Sequence, residues 1–197
     1  MAQPLPDDAL DQLFRNARSF NKFTERAVDD ATLERLYALY CWGPTSMNCQ
    51  PGRVVFVRSA EAKERLKPAL SPNNVAKTLA APVTAIVAFD CAFFDQLPTQ
   101  FPAVPGARDM FTSNPVLAAE TAMRNSSLQG AYLILAARAL GLDAGAMSGF
   151  AAPLLDRAFF PDGRWKSNFL VNLGWGDPAG NRPRGPRLAF DEVAHIA

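Results

Sequence analysis

Apolar residues recur at helical spacing over three stretches of the chain, which predicts amphipathic or buried helices. The first two helices are expected from Asp7 to Arg18 and from about Asp30 to Trp42. The longest is expected from Pro115 to about Leu140, because proline favours the first turn of a helix and Gly141 follows its end. From Ala131 onward this helix is apolar nearly all round, so we expect it at the centre of the core.

Four short apolar runs lack helical spacing and predict buried strands. Shorter helices are expected between them. Strands separated by helices, with too few alternations for a doubly wound domain, indicate an α+β sandwich with a small sheet. The strands are expected at Val54–Val57, Val83–Phe89, Asp143–Met147 and Phe169–Leu173, and the shorter helices at Ser59–Leu66, Asn73–Leu79 and Pro153–Phe159.

Two segments show no clear periodicity. From Cys91 to Asn114 the chain is rich in prolines and phenylalanines, and a long irregular segment of this kind is typical of a functional lid. Residues 178–197 contain several prolines and arginines, and we interpret them as an extended arm that packs on a partner subunit. Residues 1–197 are therefore interpreted as one domain with a C-terminal arm from about residue 178.

Composition and charge exclude several classes of protein. The net charge of +1 indicates no general attraction to nucleic acid or to anionic membranes. No apolar run reaches the roughly 18 residues of a membrane span, and no signal-peptide pattern begins the chain. The three cysteines suggest no disulfide framework, so we expect reduced thiols and a cytoplasmic location. A single histidine, His195, argues against a metal site and against histidine-assisted nucleophilic catalysis.

With one histidine near the C-terminus and no phosphate-binding P-loop run, the difficult chemistry of an enzyme is expected to belong to a bound cofactor, which needs positioning groups rather than proton-transfer groups. The loop from Trp42 to Pro51 presents hydroxyl and amide groups at alternate positions, which suits the pyrimidine edge and ribityl chain of a flavin. An ordinary capping turn would use the same residue types. The segment from Ala17 to Phe23 offers a cation, a hydroxyl and an amide suited to a phosphate, although a cation at a helix end can simply complement the helix dipole.

Three motifs in register resemble the FMN-dependent nitroreductase family, and the resemblance covers essentially the whole chain. They are Ala17-Arg-Ser-x-Asn-x-Phe23, Pro44-Thr-Ser-x-Asn-x-Gln-Pro51, and Ala139-Leu-Gly-Leu-Asp143 followed by Ser148-Gly-Phe150. The resemblance implies a three-layer α+β sandwich with a small mixed sheet flanked by helices. It also implies an arm-exchanged homodimer with FMN at the interface and NADH or NADPH as hydride donor, without a readable preference between the two.

The same resemblance implies a set of cofactor contacts, although local turns and helix caps would also explain Asn48, Asn74 and the Ser148-Gly149 pair. The sequence departs from the family in lacking a basic residue at Ala17 and at Asn21, and in placing Gly52 where a tryptophan is common. The implied FMN contacts are Arg18, Ser19 and Asn21 near the phosphate and ribityl chain, Pro44, Thr45, Ser46 and Asn48 from the other subunit, Asn74 at the ribityl chain or ring, Ser148 and Gly149 near the ring, and Arg187 at the phosphate, supported by Arg184.

The segments Trp42–Cys49, Arg124–Ser127, Met147–Phe150 and Lys166–Asn168 are similar to the malonic semialdehyde reductase branch of this family, which acts in pyrimidine catabolism. This similarity implies ping-pong reduction of malonic semialdehyde to 3-hydroxypropionate. Arg108 is the candidate cation for the substrate carboxylate, unless it simply points to solvent. The alternatives are a general NAD(P)H nitro- or quinone reductase and a non-catalytic flavin-binding protein. No catalytic side chain and no metal ligand is expected.

Overall fold

The computed structural model describes residues 3–197, in which four strands form one sheet of order β1-β2-β4-β3. Every strand pairing is antiparallel, so the expected mixed sheet is wrong for the described part of the chain. The physical reason lies in the connection between β1 and β2. The helices after β1 return the chain to the end of the sheet at which β1 stops, so β2 begins there and runs in the opposite direction, with Val57 paired to Thr84. The strands are β1 Gly52–Val57, β2 Val83–Asp90, β3 Asp143–Met147 and β4 Trp165–Gly174.

Helices cover both faces of the sheet, which confirms the three-layer sandwich. Alternate residues of β2 point to opposite faces of the sheet. Val87 packs with the helices of residues 30–40 and 115–139, while Ile86 packs with the helices of residues 60–66 and 152–159. The helices are α1 Asp7–Leu10, α2 Asp30–Tyr40, α3 Ala60–Leu66, α4 Pro72–Ala80, α5 Leu97–Gln100, α6 Ala107–Thr112, α7 Pro115–Ala139, α8 Ala152–Phe159 and α9 Phe190–Val193.

Helix α7 is the central helix, as its apolar C-terminal half predicted. Leu133, Ala136 and Ala137 are buried against the sheet. At the other end, the side chain of Asn114 accepts a hydrogen bond from the backbone N–H of Leu117 at 3.1 Å and caps the helix. The helix therefore joins the main core to the segment that precedes it.

Two predicted boundaries differ from the structure by three residues or more. The first helix continues from α1 as a π-helical turn, Asp11–Arg15, and ends there rather than at Arg18. Strand β4 begins at Trp165, four residues before the predicted start at Phe169. The polar residues that hid this start surround a β-bulge, where Asn168 has no partner opposite the Val87/Ala88 step of β2.

The segment from residue 91 to residue 114, called the lid segment below, is more regular than the sequence suggested. It contains α5, α6 and the 3-10 turn Phe93–Gln96. Pro98 lies in the first turn of α5, where the missing N–H has no helical partner to lose, so this proline begins a helix rather than breaking one. Buried Phe93 and Phe111 give the segment a small core of its own against α7.

Candidate functional site

A basic pocket lies where the segment after α1 meets the C-terminal tail. It has a volume of about 360 Å³, and it gathers five of the predicted cofactor residues from opposite ends of the chain. Within the described residues, its lining includes no carboxylate. The predicted residues that line it are Arg18, Ser19, Asn21, Arg184 and Arg187.

Hydrogen bonds between side chains and backbone hold the two walls of the basic pocket together. Arg184 donates from Nη2 to the carbonyl of Ala17 at 2.9 Å, and Arg18 donates from Nη2 to the carbonyl of Arg182. Arg187 donates from Nη1 to the carbonyls of its own turn, at Gly185 and Pro186. The tail beyond residue 181 is exposed throughout. The hydrogen bonds of Arg18 and Arg184 therefore hold the first residues of the tail at the pocket.

The first wall of the pocket is held against the edge strand β3. Ser19 forms a parallel bridge with Ala144, and the N–H of Phe20 donates to the carbonyl of Ala144 at 3.0 Å. A Cβ atom on Gly145 would lie 2.3 Å from the carbonyl oxygen of Phe20, which is a collision. Only glycine at this position lets the segment approach the strand so closely.

Three further cations surround the pocket, and sequence reasoning missed them. Arg138 and Arg182 line it, and Lys77 donates from Nζ to Oδ1 of Asn21 at 3.3 Å. Burial lowers the pKa of both Arg138 and Lys77, and nearby Arg182 lowers the pKa of Lys77 further. Lys77 lies one helical turn after Asn74, which is a spacing that could have indicated it.

Arg138 is the cation whose hydrogen bonds are incomplete. Its Nη1 donates to the carbonyl of Leu13 at 2.9 Å, whereas its buried Nε has no partner among residues 3–197. A buried, charged N–H without an acceptor is costly. A cluster of cations that includes such a group is suited to bind an anion.

The predicted loop of residues 44–50 lies at the other edge of the sheet, directly before β1. Within it, Met47, Asn48 and Gln50 have φ angles of +54°, +49° and +39°. Such left-handed conformations cost non-glycine residues roughly 1–2 kcal/mol each. Pro44, Ser46 and Asn48 are exposed on this loop.

Hydrogen bonds from within the chain hold this strained loop. The N–H of Ser46 donates to Oδ1 of Asn125 on α7 at 2.8 Å. The N–H of Gln50 donates to Oγ1 of Thr45 at 3.2 Å. The Thr45 hydroxyl, expected to contact a cofactor, thus also supports the loop backbone.

Within one chain, the loop and the basic pocket are separated by the sheet. The loop precedes β1 and the pocket adjoins β3, with β2 and β4 between these two edges. At about 4.8 Å per strand spacing, the two edges lie about 14 Å apart. One chain therefore places these two sets of predicted residues at opposite edges of its sheet.

The remaining predicted residues meet at the C-terminal end of β3. Asn74 on α4 donates from Nδ2 to the carbonyl of Gly149 at 2.8 Å, and Ser148 is exposed beside them. A Cβ on Gly149 would lie 2.6 Å from Nδ2 of Asn74. From Ala144 to Ser148 the strand rises about 13 Å, so this turn and the basic pocket lie along the same edge.

Arg108, the expected substrate cation, has a carboxylate partner in the structure. Its Nη2 and Nε lie 3.2 and 3.3 Å from Oδ1 of Asp95, and its side chain is 47% exposed. Arg164 approaches the other oxygen of Asp95 at 3.5 Å. In the structure Arg108 is thus paired with an acidic side chain of its own lid segment, and its role toward a substrate carboxylate stays a prediction.

Thiol nucleophiles and metal sites are the other chemistry considered from the sequence, and the described cysteine, histidine and acidic side chains give no support for either. Burial raises the pKa of Cys49 to about 11 and also raises that of Cys91, so these thiols stay protonated near neutral pH. In the described part of the chain, no group of three or more His, Cys, Asp or Glu side chains is placed to hold a metal ion. None of the helices described for residues 3–197 is long and apolar enough to cross a bilayer.

Comparison with known proteins places this geometry in a family. A family model described as the nitroreductase family matches residues 2–175. The chain belongs to the nitroreductase family. The match includes the segment after α1, the loop of residues 44–50 and the end of β3, but it stops before the arginines of the tail.

Two close relatives and one solved structure agree with this assignment. The chain is 60% identical to a Burkholderia lata protein over 192 residues, 98% of each chain, and 57% identical to a Rhodopseudomonas palustris protein over 199 residues, 100% of each chain. Both relatives carry provisional names as NADH dehydrogenase/NAD(P)H nitroreductase. A nitroreductase structure from Exiguobacterium sibiricum, in complex with FMN, matches with a TM-score of 0.84 and 21% identity over 100% of both chains. At that identity the likeness shows the fold.

Proposed function

We propose that the protein is an FMN-dependent oxidoreductase that takes hydride from NADH or NADPH and passes it to a small electrophilic substrate. The observation that carries the proposal is the basic pocket, in which segments from both ends of the chain meet without a carboxylate. Family membership and the names of the two relatives support the same reaction class. The FMN found in the Exiguobacterium sibiricum structure supports the choice of cofactor.

The residues of the basic pocket fit the phosphate of FMN. A phosphate monoester carries about two negative charges and accepts paired hydrogen bonds from guanidinium groups, and it would supply the acceptor that Arg138 Nε lacks. Ser19 and Asn21 would add a hydroxyl and an amide beside Arg18, while Arg184 and Arg187 would close the pocket from the tail.

The turn at the C-terminal end of β3 fits the flavin ring. Asn74, Ser148 and Gly149 lie along β3 from the phosphate pocket, as a ring joined to a phosphate by a ribityl chain requires. When bound, FMN supplies an electron-pair acceptor and donor for hydride transfer. The chain's own residues bind it, orient the two reactants in turn and exclude water; none of them is assigned a proton-transfer role.

We assign the loop of residues 44–50 to the flavin of a partner subunit, because its own chain keeps it at the other edge of the sheet. Pro44, Thr45, Ser46 and Asn48 would contact that flavin. The apolar side chains of the tail support a homodimer, since they have little cover within their own chain. Leu188, Phe190, Val193 and Ile196 are 68%, 66%, 63% and 91% exposed.

A groove beside β1 is suited to receive this tail from a second copy. It has a volume of about 630 Å³ and lies between α2 and β1, with Leu33, Tyr37, Val54 and Phe56 in its walls. Strand β1 is an edge strand, and an uncovered edge is a natural place for another chain to pack. The arm-exchanged dimer would therefore cover an apolar groove, an open edge and an apolar tail together.

Nitro compounds are the substrate class that the relatives' names favour, and quinones are the related alternative considered from the sequence. Malonic semialdehyde is the finer proposal from the sequence motifs. Reduction of the semialdehyde to 3-hydroxypropionate takes one hydride and one proton. The cytoplasmic location expected from the sequence stays a prediction.

The proposed function predicts that the purified protein binds FMN noncovalently and that NADH or NADPH bleaches the flavin. Anaerobic titration followed by absorbance would measure the bleaching, and a nitroaromatic, a quinone or malonic semialdehyde should restore the oxidised spectrum. A protein that ignores FMN in calorimetry would end the proposal. A bound flavin that neither nicotinamide bleaches would instead indicate a non-catalytic flavin-binding protein.

A substrate role for Arg108 predicts different effects from Arg108→Ala and Asp95→Asn. If Arg108 binds a carboxylate, Arg108→Ala raises KM for malonic semialdehyde several-fold and spares an uncharged quinone, since a ground-state contact is lost. Asp95→Asn frees Arg108 from its ion pair and should lower that KM or leave it unchanged. Steady-state kinetics with both substrates measure this. Equal losses in both variants with both substrates would show that the ion pair only supports the lid segment.

A further inference from the structure

The loop of residues 44–50 needs support from outside itself. Its left-handed residues Met47, Asn48 and Gln50 store a few kcal/mol of backbone strain in total. A strained segment persists only where the surrounding structure holds it. The groups that hold this loop therefore determine whether its side chains are presented to a flavin in one fixed arrangement.

Gln100, the last residue of α5 in the lid segment, makes two of these supporting contacts. Its backbone carbonyl accepts a hydrogen bond from Nδ2 of Asn48 at 3.0 Å. Its side-chain Oε1 accepts one from Nε2 of Gln50, also at 3.0 Å. Because Gln50 Nε2 also donates to Oδ1 of Asn48 at 3.0 Å, the amides of these residues form a connected set. Both loop residues held in this way have positive φ.

The loop and the lid segment also share a small apolar core. Cys49 is buried in the same cluster as Phe93, Leu97 and Phe111, and Met47 packs against that cluster. This cluster is distinct from the two cores on the faces of the sheet. The apolar side chains of the loop therefore pack with the lid segment and with α7, which contributes Ala118 and Ala122 to the cluster.

An ionic connection joins the same two segments by a second route. Asp90, 2% exposed at the end of β2, accepts hydrogen bonds from Arg53 at 2.9 Å and from Arg164 at 3.0 Å. Arg53 also donates to the carbonyl of Gln50, and Arg164 pairs with Asp95 of the lid segment. This route is independent of Gln100, so a change at Gln100 leaves the lid segment anchored and the protein folded.

We infer that Gln100 is a positioning residue through which the lid segment sets the conformation of the flavin-contacting loop. The inference rests on the proposed function for the loop's role, but the contact between Gln100 and Gln50 is a property of the chain itself. Gln100 acts through Asn48 and Gln50 and touches neither reactant. A movement of the lid segment would therefore change the loop's presentation of Asn48 at the same time.

The test compares Gln100→Leu, which removes the acceptor at similar size, with Gln100→Glu, which retains an oxygen acceptor for Gln50. In protein without FMN, hydrogen exchange measured by mass spectrometry should be faster over residues 46–51 in Gln100→Leu than in the parent protein. With FMN, Gln100→Leu should bind the cofactor about 3- to 10-fold more weakly, which corresponds to the loss of one net hydrogen bond. The flavin absorption band should also shift, and Gln100→Glu should restore both properties.

Thr99→Ala is the matched control, because Thr99 is the exposed neighbour of Gln100 on α5. It should leave exchange, FMN affinity and the absorption band unchanged. Unaltered exchange over residues 46–51 in Gln100→Leu would overturn the inference, whatever FMN does. Faster exchange with unchanged FMN affinity and spectrum would also overturn it, because the loop would then be held by Gln100 without affecting the flavin. If the parent protein binds no FMN, the proposed function fails while the exchange result still stands.

Discussion

Deletion of residues 182–197 should weaken FMN binding by at least two orders of magnitude and convert the proposed homodimer to a monomer. The deletion removes Arg182, Arg184 and Arg187 from the basic pocket. Hydrogen bonds to charged groups contribute about 1.5–3 kcal/mol each, so the loss of two of them corresponds to roughly 100-fold or more in affinity. The deletion also removes the exposed apolar side chains that a partner subunit would cover.

Two full-length variants separate these effects. Changing Arg184 and Arg187 together to glutamine should weaken FMN binding while the protein remains dimeric. Changing Leu188 and Phe190 together to serine should weaken the dimer while the phosphate pocket keeps its arginines. Calorimetry measures the affinity, and light scattering after size exclusion measures the mass.

Riboflavin is the ligand control, because it lacks the phosphate. Its affinity should be nearly the same for the parent protein and for the double glutamine variant. Undiminished FMN affinity in a monomeric truncated protein would contradict both the phosphate assignment and the shared site. An equal loss of riboflavin and FMN affinity in the glutamine variant would place the arginines in a structural role.

The fold was predictable from the sequence where local periodicity and burial coincide. The central helix α7 is marked by a proline at its start, Gly141 after its end and a C-terminal half that is apolar nearly all round, and α2 ends close to Gly43 as expected. The lid segment was not predictable in this way because its helices are one or two turns long, too short to show a period. Its prolines indicated a break, although Pro98 begins a helix. The direction of the strands depends on where each connection returns, and no local pattern encodes that.

The candidate site was predictable where several residues form a motif. The residues assigned to the phosphate by motif, Arg18, Ser19 and Asn21, do meet the tail arginines in one pocket. Arg138 and Lys77 were missed because each is a lone cation within a helix, where the usual interpretation is a solvated surface residue. The partner of Arg108 was missed because Asp95 lies on a different helical turn of a segment without periodicity. Long-range pairing of single charges leaves little trace in sequence.

Mixed dimers of two defective variants should recover one FMN site per dimer. One variant, Arg18→Glu with Arg187→Glu, replaces cations of the basic pocket with carboxylates that repel a phosphate. The other, Ser46→Trp, places a large side chain on the exposed loop, where the flavin of the partner subunit would lie. Each variant alone should bind no FMN at micromolar concentration. In a mixed dimer, the intact pocket of the Ser46→Trp chain meets the intact loop of the chain with Arg18→Glu and Arg187→Glu, and one complete site forms. The second site of the same dimer combines the defective pocket with the defective loop.

The experiment requires co-expression with two different affinity tags, followed by isolation of the mixed species and measurement of bound FMN per dimer by absorbance. A ratio near one FMN per mixed dimer, against none for either parent variant, would establish that each site takes its loop and its phosphate pocket from different subunits. The arrangement in which both halves come from one chain gives no intact site in the mixed dimer, because each chain then carries its own defect. Absence of FMN in mixed dimers of correct mass would therefore reject the shared site, and the loop would need a different role. Glu61→Trp, at an exposed position on α3 and thus on the face of the sheet covered by α3 and α8, serves as the size control and should leave FMN binding in its own homodimer.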